Sequence, residues 1–276
     1  MVAAPFRANV MQTWALANQK GGTGKTTTSI HLAAALAKHG KRCLLVDLDP
    51  QAHATLGLGV SVDDGLSVAS AFLDDVPLAE LVRTTPAGFH LIPSCARLAE
   101  FEEVAERMLQ PEGRLERALA ELEARYDWVL FDCPPRADGV ITLNAVRAAD
   151  TTLLVVETGA FALQGALEAR RIFEARSDAG ERTQNLRLLA TLFRPREPIS
   201  REFLIALQAR FGAIMLDTVI RDDPALREAV AYGIPAPHLD ERTHAAQDFD
   251  ALAREVLELR GVTQATPHIV PVPMIS

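Results

Sequence analysis

The sequence predicts an α/β fold: a single doubly wound, mainly parallel sheet with helices on both faces. Three observations carry this. Short apolar runs of strand length alternate with longer Ala/Leu-rich segments of helical period, as buried parallel strands and their crossover helices require. The first two runs, Thr13–Asn18 and Arg42–Val46, enclose a Gly-rich loop and the helix Thr26–Lys38, which makes a βαβ unit with a right-handed crossover. No repeat and no linker divides the 276 residues.

The remaining elements follow in order. Gly40 closes the first helix, Leu66–Leu73 and Leu78–Val82 read as short helices, and Phe89–Ile92 reads as a strand. Arg97–Leu109 and Arg114–Arg125 are amphipathic helices separated by Pro111 and Gly113. Trp128–Phe131, Thr152–Val156, Leu186–Phe193 and Ile214–Ile220 are strands. Val140–Ala149, Phe161–Arg176, Ser200–Phe211, Pro224–Tyr232 and Thr243–Leu259 are helices. Residues 1–11 read as a disordered leader, 12–260 as the folded domain, and 261–276, with three prolines and no charge, as a disordered or extended tail.

Composition narrows the class. Apolar residues make up 49% and charged residues 23%, ordinary values for a globular chain, while aromatics reach only 5%, so Ala, Leu and Val must fill the core. Cys43, Cys95 and Cys133 are too sparse for a disulfide framework and indicate a reducing compartment. Residues 1–10 lack the apolar run of a signal peptide, and no stretch approaches the roughly 20 apolar residues of a membrane span, so a cytoplasmic location is expected. All four lysines, Lys20, Lys25, Lys38 and Lys41, lie in the first 41 residues, and two of them fall in one short loop.

That loop reads Asn18-Gln19-Lys20-Gly21-Gly22-Thr23-Gly24-Lys25-Thr26-Thr27, between a strand and a helix. Glycines let backbone N–H groups converge on an anion, and the helix N-terminus adds a positive dipole end. Residues Lys20 to Thr27 are therefore the candidate nucleotide loop: Lys20, Gly21, Gly22, Thr23, Gly24, Lys25, Thr26 and Thr27. Lys25 is placed to reach the β/γ-phosphates of ATP and the Thr26 hydroxyl to ligate Mg²⁺. The loop departs from the usual pattern, because Gln19 stands where the first glycine is expected and Lys20 is an additional cation.

With this departure the chain resembles the ParA/MinD family of P-loop ATPases, whose deviant Walker A loop reads K-G-G-x-G-K-[ST]. The resemblance runs from about Thr13 to Leu259 and is strongest before Asp150. It implies that Lys20 crosses a dimer interface to the partner's nucleotide and supplies charge in trans, as an arginine finger does. Val46-Asp47-Leu48-Asp49-Pro50-Gln51 resembles the family's first switch, which implies that Asp49 positions the attacking water and that Asp47 lies near the metal. Leu130-Phe131-Asp132-Cys133-Pro134-Pro135 resembles its Walker B strand end and second switch, with Asp132 holding a metal-bound water. Lys20, Lys25 and Asp49 are thus the implied catalytic set, and Thr26, Asp47 and Asp132 the implied metal set.

Within the family, MinD-type membrane binding needs a basic amphipathic C-terminal helix, and Gly261–Ser276 has no Lys or Arg, so direct membrane binding is not expected. The iron–sulfur branch bridges a cluster with two cysteines; Cys95 and Cys133 lack flanking glycines and read as structural. No helix-turn-helix segment precedes the loop, so the short ParA type is expected: an ATP-dependent homodimer that binds double-stranded DNA without sequence preference and moves a cargo with a ParB-like or other adaptor that stimulates its slow hydrolysis. Nucleoid association follows from that reading. DNA affinity would come from arginines on one face, with Arg194, Arg196, Arg201, Arg221 and Arg227 as candidates. The family's proline-arginine step is replaced here by Ile220-Arg221-Asp222-Asp223-Pro224, whose acids oppose Arg221. The alternative is an ATP-gated protein-interaction switch for a secretion, motility or polysaccharide-synthesis apparatus, without DNA binding.

Overall fold

A computed structural model describes residues 11–62, 65–177 and 185–265. The strands are β1 (Gln12–Ala17), β2 (Cys43–Asp47), β3 (Arg83–Thr84), β4 (His90–Ile92), β5 (Trp128–Asp132), β6 (Thr151–Glu157), β7 (Asn185–Phe193) and β8 (Met215–Arg221). The helices are α1 (Lys25–Lys38), α2 (His53–Gly57), α3 (Val68–Leu73), α4 (Leu78–Leu81), α5 (Glu100–Ala105), α6 (Arg114–Leu119), α7 (Val140–Ala148), α8 (Ala162–Ser177), α9 (Pro198–Phe211), α10 (Pro224–Tyr232), α11 (Ala236–Leu239) and α12 (His244–Ala265).

The strands form one sheet in the order β3-β4-β2-β5-β1-β6-β7-β8, parallel throughout except for the β3–β4 pair. From β1 the chain first winds to one side, through β2 to β5, and then to the other, through β6 to β8. The order reverses beside β1, and an open α/β sheet binds its ligands at the carboxyl ends of the strands flanking such a point.

Strand alternation divides the interior in two. Ala15, Leu44, Val46, Val129, Phe131, Leu154 and Val156 face a core shared with Phe72, Phe101, Ile141 and Phe211. Trp14, Leu16, Leu45, Trp128, Leu130, Leu153 and Val155 face a second core shared with Ile30, Leu32, Leu36, Phe249 and Leu252. Both faces are apolar, so the strands read as continuous runs in the sequence.

Several predicted elements change at their ends. The helix expected over Arg97–Leu109 is a 3₁₀ turn, Ala96–Ala99, followed by α5, which stops at Ala105. The chain there turns toward Gln110, whose left-handed backbone (φ 54°) sets up Pro111. Likewise α6 ends at Leu119 and continues as a 3₁₀ turn over Ala120–Leu122. Helices α2 and α11 and strand β3 are too short to show periodicity, and sequence reasoning omits them. Helix α12 continues through Gly261 to Ala265, so the expected tail is helical over its first five residues. Its remainder and the leader 1–10 lie outside the described residues. Helix α10 closes on Gly233 (φ 68°) against the turn after α2, where a Cβ at position 233 would stand 3.4 Å from the Gly59 nitrogen.

One buried polar side chain ties α1 to the C-terminal layer. His31 Nδ1 donates to the Thr27 carbonyl at 2.7 Å, Nε2 accepts the Ala236 N–H at 3.0 Å, and the ring stacks on Phe249 at 4.9 Å. This geometry needs the neutral imidazole, and burial pushes its pKa down from 6.5 to about 4, against the Thr27 hydrogen bond and with help from His238. The unfolded chain therefore binds the extra proton, and His31 loses stability as pH falls through that window. We expect acidification from about pH 7 to about pH 5 to remove about 2 kcal/mol through this one group. His31→Gln should show a shallower pH dependence in denaturant unfolding, although it is less stable at neutral pH; identical slopes for the two proteins would refute the role.

Candidate functional site

The site gathers where β1, β2, β5 and β6 end. Three consecutive residues leaving β1 each reach a different neighbour. Asn18 Nδ2 donates to the Val155 carbonyl in β6 at 2.7 Å. Gln19 Oε1 accepts the Ala137 N–H, beyond β5, at 2.7 Å. The Lys20 ammonium pairs with Glu157 at the end of β6. The chain then turns through Gly22 (φ 76°) and Gly24 (φ 85°), conformations that L side chains rarely adopt. The Thr191 hydroxyl of β7 donates to the Thr23 carbonyl at 2.7 Å and fixes the far side of the loop.

Lys25 opens α1 inside this loop and is only 7% exposed. Its Nζ donates to the Lys20 carbonyl at 3.0 Å. Burial lowers its pKa, and the nearby carboxylates of Asp132 and Asp49 oppose that shift. Ser29 places its hydroxyl 3.0 Å from the Lys25 carbonyl and 2.9 Å from Asp132 Oδ1.

Asp47 and Asp132 are paired residues on adjacent strands and both are fully buried. Burial raises the pKa of each; for Asp132 the nearby Asp47 adds to the rise, while Thr26, Ser29 and Lys25 oppose it. Their hydrogen bonding separates their roles. Asp47 Oδ1 accepts the Asp49 N–H at 3.1 Å, and Oδ2 accepts the Thr55 N–H at 2.9 Å and the Thr55 hydroxyl at 2.7 Å. Asp47, expected beside the metal, has both oxygens committed to holding the segment between β2 and α2. Asp132 Oδ2 is buried without a hydrogen-bond partner, and the Thr26 hydroxyl lies close enough to favour the charged carboxylate. Asp49, buried between β2 and α2, has Oδ1 accepting the Gln51 N–H at 2.9 Å.

This donor set fits a polyanion with a hydrated divalent cation. Glycine-directed backbone and a buried ammonium suit the anion, while an unpartnered carboxylate oxygen beside a hydroxyl suits a cation that keeps its water. Among the described residues no group of three His, Cys, Asp or Glu could hold a metal, so such a cation would also need oxygens from the anion.

The five arginines proposed as a surface do not act alike. Arg221 is held by Asp248, with guanidinium contacts of 2.5–3.1 Å that fasten β8 to α12. Arg194 and Arg227 share Asp222, at 2.8 and 3.1 Å. Arg196 and Arg201 are exposed and make no ion pair among the described residues. The cysteines are all free thiols: burial raises the pKa of Cys43 and Cys133, and Cys95 Sγ lies 3.1 Å from the Ser67 hydroxyl.

Sequence reasoning does not find an apolar cavity of about 270 Å³ beside the loop, lined by Gly24, Thr27, Thr191, Leu192, Leu226 and Phe249 among others. These residues come from five separate elements and share no motif. Glu157 is missed too, because its significance lies in a pairing 137 residues away in sequence.

Comparison with known proteins agrees with this geometry. The AAA domain family matches residues 11–182. Sporulation initiation inhibitor protein Soj of Bacillus subtilis is 34% identical over 247 residues, covering 88% of this chain and 96% of Soj. Chromosome partitioning protein ParA of Caulobacter vibrioides is 34% identical over 263 residues, covering 94% and 98%. Among solved structures, cobyrinic acid a,c-diamide synthase from Mycobacterium smegmatis, with a bound ATP analog and magnesium, superposes with a TM-score of 0.78 at 31% identity, over 95% of this chain and all of the other.

The Asp47 anchor is testable through Thr55, whose hydroxyl also accepts the Ser94 N–H at 2.9 Å. Thr55→Val keeps the shape but leaves a buried carboxylate oxygen and an N–H short of a partner, at a cost of about 1–3 kcal/mol. The urea midpoint should fall accordingly, with Thr55→Ser restoring most of it; a Val variant as stable as the parent would contradict the assignment.

Proposed function

Because this chain belongs to the ParA/MinD family of ATPases, with Soj and ParA among its relatives, we propose that it is an ATPase that dimerises on binding ATP and Mg²⁺. In that state it binds nucleoid DNA without sequence preference and positions a cargo through an adaptor that stimulates its slow hydrolysis. Its place in the cell is then the cytoplasm, on the nucleoid. Among the described residues no helix is long and apolar enough to cross a membrane.

The contrast between the loop's two lysines carries the reading. Lys25 lies buried at the start of α1, with its charge supported by Asp132. Lys20 is 47% exposed at its side chain and pairs with Glu157 at the end of β6. One chain's phosphates need one buried lysine; a second, exposed cation serves a second molecule.

Backbone N–H groups from Gly21 to Thr27 and the Lys25 ammonium bind the phosphates, and the apolar cavity beside Gly24 receives the base. Thr26 and Asp132 would hold a hydrated Mg²⁺, which would supply positive charge to neutralise the phosphates. Asp49 orients the attacking water, and the partner's Lys20 stabilises the charge that develops on the transferred group. Hydrolysis then requires the dimer.

A second reading, an ATP-gated switch that binds protein and no DNA, gains from the pairing of Arg194, Arg221 and Arg227 with acids. Arg196 and Arg201 remain as the exposed charges for phosphate.

Two experiments decide these points. Lys20→Ala and Asp49→Ala chains should each fail to hydrolyse ATP, yet a mixture should recover activity. In the heterodimer, the site on the Lys20→Ala chain keeps its own Asp49 and receives Lys20 from the other chain. Heterodimers that form and remain inactive would place Lys20 in cis. In the second, a mobility shift with arbitrary duplex DNA should appear only with ATP and weaken steeply with salt. Arg196→Glu and Arg201→Glu should weaken it more than Arg221→Glu, with ATP affinity unchanged. No shift at low salt with ATP would select the protein switch.

A further inference from the structure

The residue that replaces the expected glycine has a contact that the proposed chemistry does not use. Gln19 Oε1 accepts the Ala137 N–H at 2.7 Å, and Ala137 is fully buried. The segment after Asp132 is otherwise held mainly from within: Arg136 N–H donates to the Pro134 carbonyl at 2.8 Å and Gly139 N–H to the Arg136 carbonyl at 3.3 Å. Helix α7 begins after Gly139 with no side-chain cap. The Arg136 side chain reaches Glu102 at 3.1 Å and Asp138 at 3.6 Å on the surface. A Cβ on Gly21 would stand 3.8 Å from Pro135, so the loop and this segment lie in van der Waals reach.

We propose that Gln19 is a positioning residue for hydrolysis: its side-chain carbonyl clamps the segment following Asp132 to the loop that carries Lys20. This rests on the ATPase reading above. A glycine at position 19 would give the loop more freedom and no acceptor. Glutamine instead ties the loop from the residue next to Lys20, so a displacement of either side is passed to the other through one short hydrogen bond. Its neighbours reinforce the effect, because Asn18 and Lys20 fix the same stretch to β6. Gln19 touches none of the reacting groups in this account; it sets the spacing between the phosphate loop and the segment that leaves Asp132.

The test compares the full-length chain with Gln19→Met, similar in length but without the acceptor, and Gln19→Glu, which keeps an acceptor oxygen. In nucleotide-free protein, amide hydrogen exchange at Ala137 should speed up about tenfold or more in the Met variant and return toward the wild-type rate in the Glu variant. With ATP and Mg²⁺, the Met variant should lose about tenfold or more in kcat, while KM and the affinity for a non-hydrolysable ATP analogue stay within about threefold. Unchanged exchange at Ala137, or a Met variant that turns over like the parent, overturns the proposal. Should the Met variant fail to fold, wild-type exchange at Ala137 that is already unprotected, or a Glu variant left unprotected there, would overturn it. A wild-type chain that binds no ATP refutes the ATPase reading and this inference with it. That failure is distinguishable, since the exchange difference at Ala137 is read without nucleotide.

Discussion

The burial of the Lys25 ammonium is the constraint from which the rest of the site follows. A cation removed from water needs nearby negative charge and hydrogen-bond acceptors, and this one donates to the Lys20 carbonyl and has the charges of Asp132 and Asp49 nearby. Those acids stand at the ends of β5 and just past β2, so the order β2-β5-β1 is what brings them to a lysine at the start of α1. The paired carboxylates Asp47 and Asp132 are themselves buried, and burial raises the pKa of both, so they too need compensation. Asp47 obtains it from Thr55 and the Asp49 backbone, whereas Asp132 obtains only part of it, from the Ser29 hydroxyl on Oδ1 and from the nearby Thr26 and Lys25. The unpartnered Asp132 oxygen is the remaining deficit, and a cation with its water would supply the missing donors.

The second organising feature is how many strand ends the phosphate loop touches. Asn18, Gln19 and Lys20 bind it to β6, to the segment after β5, and to β6 again, while Thr191 ties its far side to β7. The loop is therefore shared by the two halves of the sheet. Its glycines allow the backbone to converge, and its polar side chains fix where that convergence sits.

Chemistry confined to a short stretch of sequence is legible without a structure. Lys25 and Thr26 stand out because a strand, a glycine loop and a spacing of a few residues mark them, whereas Asp132 is singled out only by its resemblance to the family's Walker B strand end. The central elements are legible for the same reason, since long apolar runs such as Thr151–Glu157 and long periodic helices leave strong patterns. What escapes is set by distance along the chain or by brevity. Nothing near Arg221 reveals that Asp248, 27 residues on, neutralises it. The committed oxygens of Asp47 depend on Thr55, in a five-residue helix that has no periodic signature. Gly261 opens the stretch expected to be a tail, yet α12 passes through it to Ala265.

The close approach of α10 to the turn after α2 has a thermodynamic consequence. One side of α10, through Leu226 and Val230, lines the apolar cavity, while Gly233 at its end meets Gly59, just past the helix anchored by Asp47 and Thr55. A ligand that shifts α10 therefore does work on the segment bearing Asp49, and a movement of that segment changes the cavity by the same free energy. Occupancy of the cavity and the placement of Asp49 would then be two readings of one coupled quantity. Any partner that displaces α2 from outside would, by reciprocity, alter how tightly the chain holds its nucleotide.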